Sequence, residues 1–214
     1  MGPGVLNNDH IAEFFAHRLR TGLTIKAFGD GTVKDDIGAH GWHIRPDLNL
    51  THDLTSKESA AQTDGHQDTI SFLRTKRAAI LAALYLIRAI CNFYDIRTSP
   101  SYIQYHLDNK EALSRLNNTD DASVFDTANP ITTDYDIWAA IRDATSSTPV
   151  IYFGTHVKGY QDENNPIDSL SPEAQMNIRM DKIEGDCRIA HPSPYQQMPT
   201  QGTKSPSLSM DTSS

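Results

Sequence analysis

Cysteine is scarce in this chain of 214 residues, which carries only Cys91 and Cys187. Two thiols make no disulfide framework, and they have no zinc-ligand spacing. Basic residues are also in deficit. Nineteen lysines and arginines stand against 27 aspartates and glutamates, for a formal net charge of -8. Tight non-specific binding of nucleic acid depends on lysine and arginine displacing counterions, so this balance argues against it, although a local basic patch fits within an acidic whole. Long apolar runs are missing as well. The longest, Ala78 to Ile87, stops at Arg88 and is about half of the ~20 residues that a membrane span needs. It reads as a buried helix. The opening stretch MGPGVLNNDHIAEFF lacks the charged-then-apolar pattern of a secretory signal. The expectation is a reducing compartment, cytoplasmic or nuclear, with no secretion and no membrane partner. The sequons at Asn49 and Asn117 then carry no meaning.

The remaining composition is that of one ordinary globular domain with tails. Hydrophobic residues make up 38% and charged residues 21%, enough to bury a core. No internal repeat is visible. Residues 1–20 read as an amphipathic lead-in or linker stub, through Ile11, Phe14, Phe15 and Leu19. The domain proper is expected over 21–186, and a tail over 187–214. From His191 onward that tail is rich in Pro, Ser, Gln and Thr, a composition that marks disorder.

Alternation predicts a strand from Leu23 to Gly29, with Asp30-Gly31 as its turn, and a second strand from Ala39 to Ile44 pairing as a hairpin. Residues 45–70 are polar, with an edge strand expected near Leu50 to Leu54. Leu73 to Cys91 is the clearest helix, because Ile80, Leu84, Ile87 and Cys91 form one apolar seam. A strand through Ile103, Tyr105 and Leu107 ends at Asp108, and a short helix covers Lys110 to Leu116. A polar loop over 117–131 surrounds Phe125. Thr133 caps a helix that presents Ile137, Trp138 and Ile141 on one face. Val150 to Phe153 reads as a short buried strand. After a long loop from Lys158 to Leu170, Ser171-Pro172 opens a last helix that Gly185 is placed to close. This order predicts an α/β fold, a mixed sheet with helices on its faces.

Three aspartates stand where chemistry can use them: Asp30 after the first strand, Asp108 after the middle strand and Asp181 on the last helix. Carboxylates brought together raise each other's pKa and call for a compensating cation. Magnesium takes oxygen ligands, and paired ions stabilise both oxygens of a phosphodiester displacement. Asp-Gly and Asp-Asn are also ordinary turn and cap residues, so spacing by itself leaves both readings open.

The surrounding words carry more. FGDGTVKDDIGAHGWHI resembles the opening hairpin of the type 1 ribonuclease H domain, particularly the form associated with retroelement reverse transcriptases. SFLRTKRAAILAALYLI resembles that family's first helix, and YIQYHLDNKEAL its strand and turn bearing a metal aspartate. HVKGYQDE is similar to its last strand and mobile loop, and EAQMNIRMDKI to its final helix. The pieces fall in family order over residues 23–184. The resemblance implies an RNase H-like mixed β-sheet flanked by helices, and hydrolysis of RNA–DNA hybrids by a metal-bound water. It assigns Asp30, Asp108 and Asp181 as Mg2+ ligands and catalytic residues. An RNA–DNA hybrid or other nucleic acid, weakly held, is the implied partner.

Two departures fall on working positions. The family's first helix opens Arg-Ala-Glu, with the glutamate a metal ligand, whereas this chain has Arg74-Thr75-Lys76. The family's loop histidine after Lys-Gly is replaced by Tyr160. Four carboxylates carry about −4, and three with a lysine carry about −2; at an effective dielectric near 20, unit charges 4 Å apart interact by about 4 kcal/mol. Lys76 therefore opposes a divalent ion and impairs the implied activity, with a non-catalytic binding or structural remnant as the alternative. Four residues before Ile80, it points toward the sheet. With Arg74 and Arg77 it forms a basic first turn where the helix dipole disfavours cations, explained by lost selection or by phosphate binding. His156 reads as structural, Trp42 as a hairpin or core aromatic, and Lys110 and Glu111 as a solvated turn. His40 and His43, three apart on a strand, face opposite sides.

Overall fold

The structure, a computed structural model, describes residues 4–46, 56–63, 70–118 and 134–190, with side chains from residue 10 to 189 within those ranges. Helix α1 (Gly4–Thr21) leads into strands β1 (Ile25–Lys34), β2 (Ile37–Pro46) and β3 (Lys57–Gln62). Helix α2 (Phe72–Phe93), β4 (Tyr102–Leu107), α3 (Lys110–Asn117), α4 (Tyr135–Ser146), β5 (Ile151–His156) and α5 (Pro172–Ala190) follow. The sheet order is β3-β2-β1-β4-β5. β1–β2 and β2–β3 are antiparallel, while β1–β4 and β4–β5 are parallel.

The predicted seam of α2 forms the main core. Ile80, Leu84, Ile87 and Cys91 are buried against Ile25, Ala27, Ile44, Ile103 and Tyr105 of the central strands. Ser71 caps this helix by accepting from the Arg74 N–H at 3.0 Å, which satisfies a donor that has no partner within the helix. On the other sheet face, Phe28 packs with Met176 and Met180 of α5. Strand alternation thus assigns α2 to the Ala27 side of β1 and α5 to the Phe28 side. None of the described helices is long and apolar enough to cross a membrane.

Several expectations are corrected. β1 does not turn at Asp30-Gly31; it runs on to Lys34, paired with Ile37. The hairpin turns instead at Asp35 and Asp36, with φ of 53° and 59°. Positive φ at both central positions is what a type I′ two-residue hairpin needs, and aspartate tolerates that conformation. The lead-in is an integrated helix: Phe15, Ala16 and Leu19 are fully buried in the main core, and Ser101 Oγ donates to the Arg18 carbonyl at 2.9 Å. The domain therefore includes α1 and does not start at residue 21. Among the described strands β5 lies at the edge of the sheet, and Ile151 and Phe153, on one face of it, are 57% and 37% exposed. Gly185 does not end α5, which continues to Ala190. The strand expected at Leu50 to Leu54, the Thr133 cap, the loop around Phe125 and the tail from His191 lie outside the described residues.

Candidate active site

Three elements converge on Asp30. Phe28 lies opposite His106 in the β1–β4 pairing, so Asp30 and Asp108 each follow that pair by two residues and share its sheet face. The rings of Phe28 and His106 stack beneath them, 4.8 Å apart. β1 continues past the end of β4, and at Gly31 the first turn of α2 presses onto it. A Cβ on Gly31 would lie 2.5 Å from the Lys76 backbone nitrogen, so only glycine permits this approach. Across the hairpin Asp30 faces Gly41, over which α5 crosses, with the Met180 carbonyl 3.4 Å from where a Cβ would stand. A long side chain at Gly41 would hold α5 away. The sheet thus sets Lys76 on one side of Asp30 and the acidic turn of α5 on the other.

All three expected aspartates gather here, and so does Lys76. Its ammonium donates to Asp30 Oδ1 and to Asp108 Oδ1, the latter at 2.5 Å. Burial opposes the lysine charge, but the two carboxylates outweigh it and hold the pKa above the ordinary range. Asp30 is 1% exposed. Burial raises its pKa, Lys76 works the other way, and Asp108 adds to the rise. The Gly31 N–H also donates to Oδ1 at 2.6 Å.

A fourth acid was missed in the sequence. Glu184 follows Asp181 by three residues on α5, so both lie on one helix face. Oxygens of Asp30, Asp181 and Glu184 lie within 4.8 Å of one another. Burial pushes the Asp181 carboxyl up to about 8, with the Asp30 charge adding to it. Burial likewise pushes Glu184 up to about 10, with Asp30 and Asp181 contributing. Glu184 is 2% exposed, and its Oε2, like Asp30 Oδ2, meets no hydrogen-bond partner among the described residues. The i, i+3 spacing was the available signal, but α5 alternates polar and apolar residues too loosely for its inner face to be read.

The mobile-loop counterpart also reaches the site. Gly159 lies against Asp108, a Cβ there standing 3.0 Å from Oδ2. Tyr160 follows with φ of 53° and is 70% exposed. His156 places Nε2 3.2 Å from the Asp108 carbonyl. The two arginines of the α2 turn are used elsewhere. Arg77 donates to Asp134 at 2.5 Å and to Glu111 at 3.1 Å, and Arg74 donates to Asp134 and Asp136. Internal carboxylates therefore occupy the side chains that the phosphate-binding explanation required. Glu111, in the exposed first turn of α3 as expected, is also one of these partners. Trp42 packs against the main core, and His40 and His43 contact Thr63 and Glu58 respectively.

A divalent ion fits one part of this arrangement and not another. The position between Asp30 and Asp108 holds the Lys76 ammonium, which has no lone pair for a metal while protonated. The space among Asp30, Asp181 and Glu184 offers hard oxygen donors of the type that magnesium takes.

No family model and no curated protein matches the chain. Solved structures do. RNase H1 from the halophilic archaeon Halobacterium salinarum NRC-1 superposes with a TM-score of 0.50 at 16% identity, over 78% of this chain and 99% of that one. LC9-RNase H1, described as a type 1 RNase H with the type 2 active-site motif, gives 0.53 at 10% identity, over 82% and 80%. The protease-reverse transcriptase of prototype foamy virus gives 0.52 at 16% identity, over 76% of this chain and 20% of that longer one. The five-stranded mixed sheet flanked by helices is an RNase H-like fold.

Proposed function

We propose that this chain is an RNase H-like domain related to RNA–DNA hybrid endonucleases, with its magnesium-dependent cleavage impaired. One observation carries the reading: the Lys76 ammonium spans Asp30 and Asp108. A cation belonging to the protein thereby neutralises the pair of carboxylates that the resemblance assigns to a metal. A bound divalent ion would supply positive charge to the oxygens of a phosphodiester, with Asp30 and Asp181 as the residues to hold it. Lys76 keeps Asp108 out of that task. Tyr160 replaces an imidazole with a phenol on the loop touching Asp108.

The implied partner is an RNA–DNA hybrid or another nucleic acid, held weakly. Formal charge is -8, and Arg74 and Arg77 are turned to internal carboxylates. That engagement also favours the second reading, a non-catalytic nucleic-acid-binding or structural module. A reducing cytoplasmic or nuclear setting accords with free Cys91 and Cys187.

The test is cleavage of an RNA–DNA hybrid in magnesium. The wild-type protein should stay near background. Lys76→Glu, alone and with Tyr160→His, should raise the rate, the double variant more. Robust wild-type cleavage abolished by Asp108→Asn would overturn the reading.

A further inference from the structure

The two carboxylate oxygens of Asp30 have different surroundings. Oδ1 accepts from Lys76 and from the Gly31 N–H. Oδ2 is buried, has no hydrogen-bond partner among the described residues, and belongs to a carboxylate grouped with Asp181 and Glu184. Glu184 contributes the second such oxygen, Oε2, from a residue 98% removed from solvent. An unpartnered polar atom in a buried position costs on the order of 1–3 kcal/mol. Asp181 hydrogen-bonds Asp30 while it holds a proton, and a divalent cation that displaces the protons of this group would satisfy both unpartnered oxygens together. No described arginine or lysine does so: Lys76 is spent on Oδ1 and on Asp108.

We infer that Asp30, Asp181 and Glu184 form a one-ion site for a hard divalent cation, with Glu184 a ligand and Asp108 excluded from it. The assignment rests on the reading of Lys76 as a built-in cation. Lys76 and the ion would share Asp30, one on each oxygen, so the residue that removes one metal position leaves the other intact. Glu184 restores to the remaining position a carboxylate in place of the one lost at residue 76. The ion is of the magnesium or manganese class, because all donors are carboxylate oxygens and neither cysteine nor histidine is among them.

Titration calorimetry of the full chain with Mn2+ alone, and separately with Mg2+ alone, tests this, with the ion-induced rise in melting temperature as a second readout. One ion per chain is expected. Glu184→Gln keeps the shape of the side chain and removes its charge; it should weaken binding at least tenfold and abolish most of the thermal shift. Asp108→Asn should cost at least tenfold less than Glu184→Gln. Absence of binding at millimolar Mn2+, two ions per chain, unchanged affinity in Glu184→Gln, or an equal loss in Asp108→Asn would each overturn the assignment. Robust hybrid cleavage by the wild type would instead defeat the reading of impaired activity, a result that the calorimetry does not depend on.

Discussion

Two charge networks meet at the first turns of α2, and they are built differently. Toward α4, Arg74 and Arg77 face Asp134, Asp136 and Glu111. Each oxygen of Asp134 accepts from one guanidinium, and the Arg77 guanidinium also lies over the Trp138 ring, 5.1 Å from its centroid. With Arg115 also pairing Glu111 at 3.5 Å, three cations serve three acids. Toward the sheet, Lys76 alone faces Asp30 and Asp108, with Asp181 and Glu184 behind them. Among the described residues one cation serves four acids, and the Asp30 and Glu184 carboxyls each keep a buried oxygen with no donor. Nearly balanced, hydrogen-bonded charges hold elements together. A surplus of buried carboxylate is costly to folding and has a use only if something binds it. The first network therefore reads as structure and the second as a site.

Breaking the structural network should have the largest effect. Arg77 is 1% exposed, and its removal takes the donor from one oxygen of the buried Asp134, leaving Arg74 on the other, and also empties the space over the Trp138 ring. Arg77→Ala should cost about 3–5 kcal/mol, read as a lower denaturation midpoint in urea. A loss under about 1 kcal/mol would erase the distinction drawn between the two regions.

The site should show its surplus as a pH dependence. The folded pKa of Glu184, near 10, lies above its ordinary value of 4.5, so the folded chain binds a proton that the unfolded chain releases. Stability from this group is fully present below about pH 4.5 and is lost as pH rises toward 10. Without divalent ions, stability should fall between pH 5 and 8, with roughly 4 kcal/mol of that fall due to Glu184. Glu184→Gln should flatten the profile by that amount. A profile unchanged by the substitution would show that folding does not raise the Glu184 pKa.

The smallest effect belongs to the rim of the structural network. Asp136 is largely exposed although it pairs with Arg74 at 2.7 Å, and such pairs contribute about 0–1 kcal/mol. Asp136→Ala should shift the urea midpoint by no more than that, and 1 M salt should shrink the difference further. A loss comparable to that of Arg77→Ala would mean that the network acts as one unit.

Much of the scaffold was readable residue by residue. The seam of Ile80, Leu84, Ile87 and Cys91 follows from a period of 3.6, and the Ile103, Tyr105, Leu107 strand from a period of 2. Local rules failed where local signals compete. Asp30-Gly31 has the composition of a turn, yet the glycine serves the close approach of α2, and the chain turns at Asp35-Asp36. The lead-in was underestimated because a short apolar stripe near a terminus does not reveal whether a partner surface awaits it. Phe15 and Leu19 are buried by such a surface.

The sequence by itself determined the order of elements, the acids Asp30, Asp108 and Asp181, and the substitution of a base at residue 76. These depend on residue type and spacing along the chain. Only the tertiary structure decided that Lys76 lies between Asp30 and Asp108, 46 and 32 residues away. It also turned Arg74 and Arg77 to other partners and brought Glu184 into the group. Whether a charge is satisfied depends on what stands within a few ångströms of it. The packing of α2 and α5 across β1 at Gly31 and Gly41 sets those distances, and no local pattern in the chain encodes them.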